Sequence, residues 1–151
     1  MRTQGTQVVL RAPVPEDREE FLERVHLICR VEGGAIVGVA NLSQILLHNF
    51  RSAYLGYFGF RPFEGNGYVT EGVRLVLRES FGEIGLHRVE ASVQPENVRS
   101  IALLERLGFR REGYSPRYLK IGGRWCDHVR YAILVDEFRA HETARRRTGS
   151  D

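Results

Sequence analysis

The chain has 151 residues, of which 42% are hydrophobic and 27% charged, and its formal net charge is +3. A single globular domain with its own core accounts for this length and composition. No apolar run approaches the roughly 20 residues that a membrane-spanning helix needs, and the first residues lack the apolar core of a secretion signal. We therefore expect a cytoplasmic protein with no membrane partner. Because the cysteines and histidines show no metal-ligand spacing, no metal site is predicted.

The positive charge is concentrated in the C-terminal segment. From Arg139 onward four arginines stand against two acidic residues, a net of +2, which leaves +1 for the rest of the chain. A nearly neutral body offers no phosphate-tracking face, so no specific nucleic-acid partner is expected. We interpret residues 139–151 as a basic tail, frayed or helical, after a single domain of residues 1–138. An RNA contact by this tail is the alternative.

The first elements in chain order are a strand and a helix. Alternation over Gln7–Arg11 predicts a strand, and Pro15 with the acidic residues after it opens a helix that reaches Val25. A strand over His26–Val31 follows with no turn residue between them. Helix-to-strand connections normally take about 2–6 residues. We therefore expect residues to be absent at this junction, with the Cα atoms of Val25 and His26 more than about 3.8 Å apart; an earlier helix end is the alternative.

The rest of the chain alternates strands with two helices. A glycine turn leads into a strand over Ala35–Leu42. The further predicted elements are a strand over Ser52–Phe60, an amphipathic helix over Tyr68–Ile84, a strand over Leu86–Gln94, a helix that Gly108 ends, and a hairpin of Tyr114–Ile121 and Arg124–Val135. This order predicts an α/β domain with a mixed sheet.

Two motifs in this half carry chemistry. Glu64–Thr70 (EGNGYVT) is a glycine loop that opens a helix, where exposed backbone N–H groups suit a phosphate. Taken alone, the loop fits a plain tight turn as well. Asn97 and Ser100 then form an NxxS motif, which Leu107–Phe109 (LGF) follows.

Together these motifs resemble the GCN5-related N-acetyltransferases (the GNAT superfamily). Arg117–His128 (RYLKIGGRWCDH) resembles the RimJ/RimL branch, which acetylates N-terminal alanines of ribosomal proteins. The resemblance covers about Ala35 to Val135. It implies the GNAT fold, in which the sheet is splayed between the fourth and fifth strands. Acetyl-CoA would lie in the resulting V, between Ser52–Phe60 and Leu86–Gln94.

The resemblance also implies a set of residues that bind acetyl-CoA or CoA. They are Phe58, Gly59, Phe60, Glu64, Gly65, Asn66, Gly67, Tyr68, Val69, Thr70, Asn97 and Ser100. The family has Gln or Arg at the position of Glu64 and Gly or Ala at that of Val69, so only Gly67 matches strictly. Backbone N–H groups make most contacts in such a loop, and we expect Glu64 to point to solvent. For Asn97, a role as helix cap or turn residue is the alternative.

The implied chemistry is direct attack of a neutral amine on the thioester of acetyl-CoA. Ser100 corresponds to a hydroxyl that faces the sulfur and donates to the departing thiolate. A backbone N–H at Phe58 corresponds to a donor that polarises the thioester carbonyl. Where another branch has a tyrosine as general acid, this chain has Leu104.

The general base stays open. Some relatives carry a glutamate just before the Tyr-Leu pair, where this chain has Arg117. The candidates are Glu90 on a central strand and Asp127 and His128 on the last hairpin, and His128 fits a packed strand histidine as well. Catalysis by positioning and oxyanion stabilisation is a further alternative.

The predicted function is an acetyl-CoA-dependent N-acetyltransferase whose acceptor is a protein N-terminus; the branch that the chain resembles implies a ribosomal protein. A small-molecule amine is the alternative acceptor. A catalytically idle CoA-binding interaction module is the alternative from another class, because Glu64, Val69 and Leu104 depart from the family pattern. The sequence predicts no oligomeric state.

Overall fold

A computed structural model describes residues 2–11 and 23–149 of the chain. In these ranges the chain forms strands and three α-helices. In chain order they are β1 (Arg2–Gln4), β2 (Val8–Arg11), β3 (Arg24–Arg30), β4 (Ile36–Leu46), β5 (Ser52–Gly59), α1 (Tyr68–Phe81), β6 (Arg88–Val93), α2 (Val98–Arg106), β7 (Arg110–Ile121), β8 (Arg124–Leu134) and α3 (Val135–Thr148). Among the described helices, none has the length and apolar character that crossing a bilayer requires.

The described strands form one mixed sheet in the order β1-β2-β3-β4-β5-β6-β8-β7. Neighbours are antiparallel except β5 and β6, which are parallel and are connected through α1. Their pairing covers three residue pairs and ends at Tyr54 with Glu90. Beyond this point β5 pairs only with β4, and β6 pairs only with β8. The sheet therefore opens into a V between β5 and β6. These two are the fourth and fifth of the strands predicted from the sequence, so the predicted splay is confirmed.

Helix α1 covers the half of the sheet that contains β2 to β5. Val73, Val76 and Leu77 are fully buried because their spacing places them on the face that meets the sheet. Helix α3 runs alongside α1 in the opposite direction. The rings of Phe81 and Phe138 lie 5.3 Å apart, and Glu142, one turn further along α3, binds α1 one turn earlier. The end of α3 therefore points towards the start of α1.

The junction at Val25 and His26 differs from the prediction. Both residues belong to β3, where they pair with Asn41 and Ala40 of β4. The expected break in the chain is therefore wrong, and so is a helix that reaches Val25. His26 and Ile28 are buried on alternate positions, as one face of a strand requires. The remainder of the helix predicted from Pro15 lies outside the described residues.

Two elements were not predicted as separate elements. β1 is too short for a visible alternation, and it pairs with β2 across a tight turn. Helix α3 begins as soon as β8 ends, and the Glu137 carboxylate accepts a hydrogen bond from the Leu134 N–H at 3.0 Å. The segment interpreted as a basic tail from Arg139 is thus helical to Thr148.

Candidate active site

The open end of the V is formed by the C-terminal halves of β5 and β6. Beyond Tyr54 the edge of β5 that faces β6 has no strand partner among the described residues. An unpaired strand edge presents a row of N–H and C=O groups to which an extended ligand can bind. The splay therefore creates a place for a flexible, amide-containing chain.

The end of β5 lies directly against the start of α1. A Cβ atom added to Gly59 would stand 2.7 Å from Cγ2 of Val69, so this approach requires glycine. The ring of Phe58 is 56% exposed and meets the ring of Phe60 edge to face, with their centroids 5.7 Å apart. Phe58, Gly59 and Phe60 thus lie at the end of β5, where the Phe60 N–H donates to the Val37 carbonyl of β4 at 2.9 Å. Their contact with a cofactor stays a prediction.

The glycine loop ends in an uncapped helix. Gly67 has a φ of +74° and directly precedes α1, and no side chain of the described residues forms a cap hydrogen bond there. The first N–H groups of a helix have no intrahelical partner, so those of Tyr68, Val69 and Thr70 are available to an anion. Asn66 has a different role, because its amide donates to the carbonyls of Phe63 (3.1 Å) and Glu64 (3.3 Å). It holds the shape of the loop.

Glu64 is paired with a cation. Its side chain is 43% exposed, which agrees with the expectation that it faces solvent, and a carboxylate oxygen lies 2.7 Å from the Arg99 guanidinium. An exposed pair of this kind contributes little to stability. It does place a positive charge from α2 beside the only acidic residue of the loop, which offsets repulsion of a phosphate.

Two side chains join the walls of the V. Tyr57 of β5 reaches α2, where its hydroxyl lies 2.5 Å from Oγ of Ser100. Burial raises the pKa of Tyr57 to about 12, so this phenol stays protonated at neutral pH. Ser100 is only 9% exposed. Tyr57 was missed by the sequence analysis, because nothing in the pattern of β5 distinguishes it from a core aromatic.

Asn97 caps α2. Its Oδ1 accepts a hydrogen bond from the Ser100 N–H at 3.1 Å, so the alternative role as a cap is the one seen. The cap uses only the oxygen. The Nδ2 group of Asn97 keeps two donors for a ligand in the V.

Glu90 lies at the apex of the V. Its Oε1 accepts a hydrogen bond from Arg88 at 2.6 Å. Burial and the neighbouring Glu90 carboxylate raise the pKa of Tyr54, which is the β5 residue paired with Glu90. The Tyr54 side chain also interacts with the Tyr118 hydroxyl. The apex therefore holds a carboxylate among protein hydroxyl groups.

The two other base candidates are held by local contacts. His128 is 2% exposed, and its Nδ1 donates to the Cys126 carbonyl at 2.9 Å, which leaves Nε2 as the acceptor of the neutral ring. Asp127 accepts hydrogen bonds from the Tyr114 hydroxyl (2.5 Å) and the Arg117 N–H (2.7 Å). These two bonds hold the pKa of Asp127 below its usual range. Glu90 is thus the candidate that the structure places beside the V.

Comparison with known proteins connects this geometry to named relatives. The ribosomal protein uS5-alanine N-acetyltransferase of Escherichia coli K12 is 39% identical over 103 residues, which are 68% of this chain and 53% of that protein. The structure of Mycobacterium smegmatis RimJ in complex with CoA-disulfide matches with a TM-score of 0.74 and 33% identity, over 81% of this chain and 59% of that chain. The structure of a mutant form of the spermidine N-acetyltransferase SpeG from Vibrio cholerae matches with a TM-score of 0.70 and 27% identity, over 77% of this chain and 68% of that chain.

The chain spans between 53% and 66% of the length of the curated relatives that it matches at 39% identity. The acetyltransferase (GNAT) domain matches residues 22–110, which is more than half of the chain. The predicted resemblance, the predicted fold and acetyl-CoA as the cofactor of the family are thereby confirmed. The chain belongs to the acetyltransferase (GNAT) domain family.

Proposed function

We propose that this chain transfers the acetyl group of acetyl-CoA to a protein N-terminal α-amino group. The observation that carries the proposal is the V between β5 and β6, with the uncapped start of α1 at its open end. An extended arm and a pyrophosphate are the two parts of CoA that such a site would hold. The residues present fit this ligand.

Each part of the ligand has protein groups to meet it. The pantetheine arm would pair with the free edge of β5 and accept a hydrogen bond from Asn97 Nδ2. The pyrophosphate would bind the N–H groups at the start of α1, with the Thr70 hydroxyl as a further donor. Arg99 balances the charge of Glu64 at this point.

The proposed reaction forms one bond and breaks one. The acceptor nitrogen attacks the thioester carbonyl, whose oxygen would accept a hydrogen bond from an N–H on the free edge of β5. The Phe60 N–H bonds to the Val37 carbonyl of β4, so the Phe58 N–H, two residues earlier, also faces β4, and the Gly59 N–H between them faces the V. The C–S bond then breaks, and CoA leaves as a thiolate to which the Ser100 hydroxyl would donate a hydrogen bond. The proton that the amine loses passes to a base, for which we propose Glu90, directly or through a water; His128 is held by its own contacts and is the weaker choice. An α-amino group has a pKa near 8, so part of it is already neutral at neutral pH and the attack depends only weakly on a base.

The likeness to the uS5-alanine N-acetyltransferase favours a peptide over a polyamine as acceptor. Glu90 is bound by Arg88. Arg130 of β8 pairs with Ser92, which lies on the same face of the sheet as Glu90. Arg88 also binds the Glu112 carboxylate, so these two arginines stand beside two carboxylates and the charge at the apex selects neither acceptor. We propose further that the acceptor is a ribosomal protein and that the reaction takes place in the cytoplasm.

The test is release of free thiol from acetyl-CoA in the presence of peptides that begin with Ala or Ser, and of spermidine in parallel. We expect turnover with the peptides. Glu90→Gln should lower kcat, and the matched control Glu83→Gln, at an exposed residue after α1, should not. Turnover with spermidine alone would replace the proposed acceptor. CoA binding without transfer to any amine would favour an interaction module.

A further inference from the structure

The long hairpin of β7 and β8 contains a bulge in β7. The pairs on its two sides are Ser115 with His128 and Leu119 with Cys126. Three residues of β7, at positions 116–118, therefore stand opposite a single residue of β8. A bulge bends its strand and redirects the side chains it carries, and bulges are frequent next to active sites. The question is which side chain this bulge redirects.

The bulge turns Tyr118 towards the face of the sheet that carries Glu90. Ser115 lies on this face, because its Oγ accepts a hydrogen bond from Nε of Arg130 at 2.9 Å. In a regular strand, a residue three positions after Ser115 would point to the opposite face. The ring of Tyr118 instead meets the ring of His128, two residues before Arg130 and so on the same face, with their centroids 5.8 Å apart. Tyr118 is accordingly half-buried between two exposed neighbours.

Tyr118 completes a group of oxygen atoms at the apex of the V. Tyr54 of β5 pairs with Glu90 of β6 at the point where the two strands diverge. Burial, followed by the Glu90 carboxylate and the interaction with Tyr118, raises the pKa of Tyr54. Two hydroxyl groups and one carboxylate, from three different strands, thus converge there. An α-amino group that arrives as an ammonium has three N–H donors, and these oxygens are suitable acceptors.

Asp127 holds the bulge from the other face of the sheet. It precedes His128 in β8 and therefore points to the opposite side. Its carboxylate accepts hydrogen bonds from the Arg117 N–H at 2.7 Å and from the Tyr114 hydroxyl at 2.5 Å. Arg117 has a φ of +47°, a left-handed conformation that is uncommon for a residue other than glycine and persists where surrounding contacts enforce it. Asp127 thus acts on the apex through the backbone of β7.

We infer that Tyr118 binds the amine of the acceptor beside Glu90, and that Asp127 positions Tyr118 there by holding the bulge. The N–H groups of the amine would donate to the Tyr118 oxygen and to the carboxylate, with the nitrogen aimed at the thioester. Tyr118 then determines how tightly the acceptor binds, whereas CoA is held by other groups. This inference rests on the proposed function.

The first test is Tyr118→Phe, which removes the hydroxyl and keeps the ring against His128. The KM for a peptide that begins with Ala should rise about tenfold, as the loss of one hydrogen bond to a charged amine implies, while kcat changes less than KM. The affinity for CoA, measured by calorimetry, should stay unchanged. The matched control is Tyr131→Phe, which removes a hydroxyl that donates to Glu105 from the opposite face of β8. It should leave the KM unchanged.

Two substitutions of Asp127 test the positioning role. Asp127→Asn keeps an oxygen that accepts from the Arg117 N–H, and its amide can donate to the Tyr114 hydroxyl, so the KM should stay within about threefold of wild type. Asp127→Ala removes both bonds and should raise the KM about as much as Tyr118→Phe does. In the double variant Asp127→Ala/Tyr118→Phe the KM should be that of Asp127→Ala alone, because the hydroxyl has then already left the apex.

The outcomes separate this inference from the proposed function. A wild-type KM in Tyr118→Phe or in Asp127→Ala would overturn the inference while leaving acetyl transfer to peptides intact. Effects that multiply in the double variant would also overturn it, and so would an Asp127→Asn variant as impaired as Asp127→Ala, because the charge and not the bulge would then matter. Wild-type protein that acetylates no peptide would refute the proposed function, and the inference with it.

Discussion

The close contact between β5 and α1 makes Gly59→Ala an informative substitution. The added Cβ would stand 2.7 Å from Cγ2 of Val69, whereas carbon atoms in good contact are about 3.5–4.0 Å apart. Because the strand conformation of Gly59 suits alanine, the cost comes from overlap alone. Overpacking of this size destabilises by about 2 kcal/mol. In a domain of this length that lowers Tm by roughly 4–8 °C.

The same overlap should weaken CoA binding. Relief requires the end of β5 and the start of α1 to move apart by about 1 Å, as the contact distances imply. These two segments carry the free strand edge and the helix amides, so their relative position determines whether arm and pyrophosphate can bind together. We expect calorimetry to show CoA affinity reduced about tenfold or more for Gly59→Ala.

A second substitution separates overlap from any other effect of the methyl group. Val69→Ala removes Cγ2 and leaves the backbone N–H in place, so alone it should change CoA affinity only modestly. In the double variant the room lost at Gly59 is restored at Val69, and the affinity should return to within about threefold of wild type, a non-additive pair of neighbours. A double variant as weak as Gly59→Ala alone would show that the contact is not the cause.

Three further changes test other parts of the structure. Tyr57→Phe should lower kcat more than it raises KM and lower the free energy of unfolding by about 1 kcal/mol, because Ser100 loses its partner; unchanged kcat would remove Tyr57 from the site. Glu71→Gln should reduce the urea midpoint, since its carboxylate binds the turn before β2, and an unchanged midpoint would contradict this. Hydrogen bonds from Arg88 hold the pKa of Glu112 at about 2 instead of 4.5. The stability that Glu112 contributes is present above pH 4.5 and is lost as the pH falls towards 2, so Glu112→Gln should flatten that acid loss.

Most of the architecture could be predicted from local patterns. The glycine loop, the apolar face of α1 and the Pro95 break after β6 each leave a signal within a few residues. The junction at Val25 leaves no such local signal. Apolar residues before it fit a helical face, and Val25 can extend that face or begin an alternating strand. Pairing with Asn41 of β4, which is distant in sequence, decides between the two.

The contacts within the site are less visible in sequence because they join distant segments. Tyr57 and Ser100 are 43 residues apart. The pair of Glu64 with Arg99 links the loop to a different helix. The cavity of about 600 Å³ beside α1 is lined by Arg106 from the end of α2 and by Arg145 from the end of α3. In each case the sequence shows an ordinary residue, and only the fold supplies its partner. The catalytic roles of Ser100 and Glu90 stay predictions.

One topological feature brings these parts to the same place. Because β5 and β6 are parallel, the helix that follows each strand begins at the same edge of the sheet, at the open end of the V. Both helix starts carry positive partial charge. The start of α1 faces the proposed pyrophosphate, and the start of α2 presents Ser100 where the thiolate would depart. Tyr57 reaches from β5 to Ser100 across this opening. The split in the sheet therefore places two electropositive helix ends around a ligand that is anionic at one end and becomes anionic at the other as the C–S bond breaks.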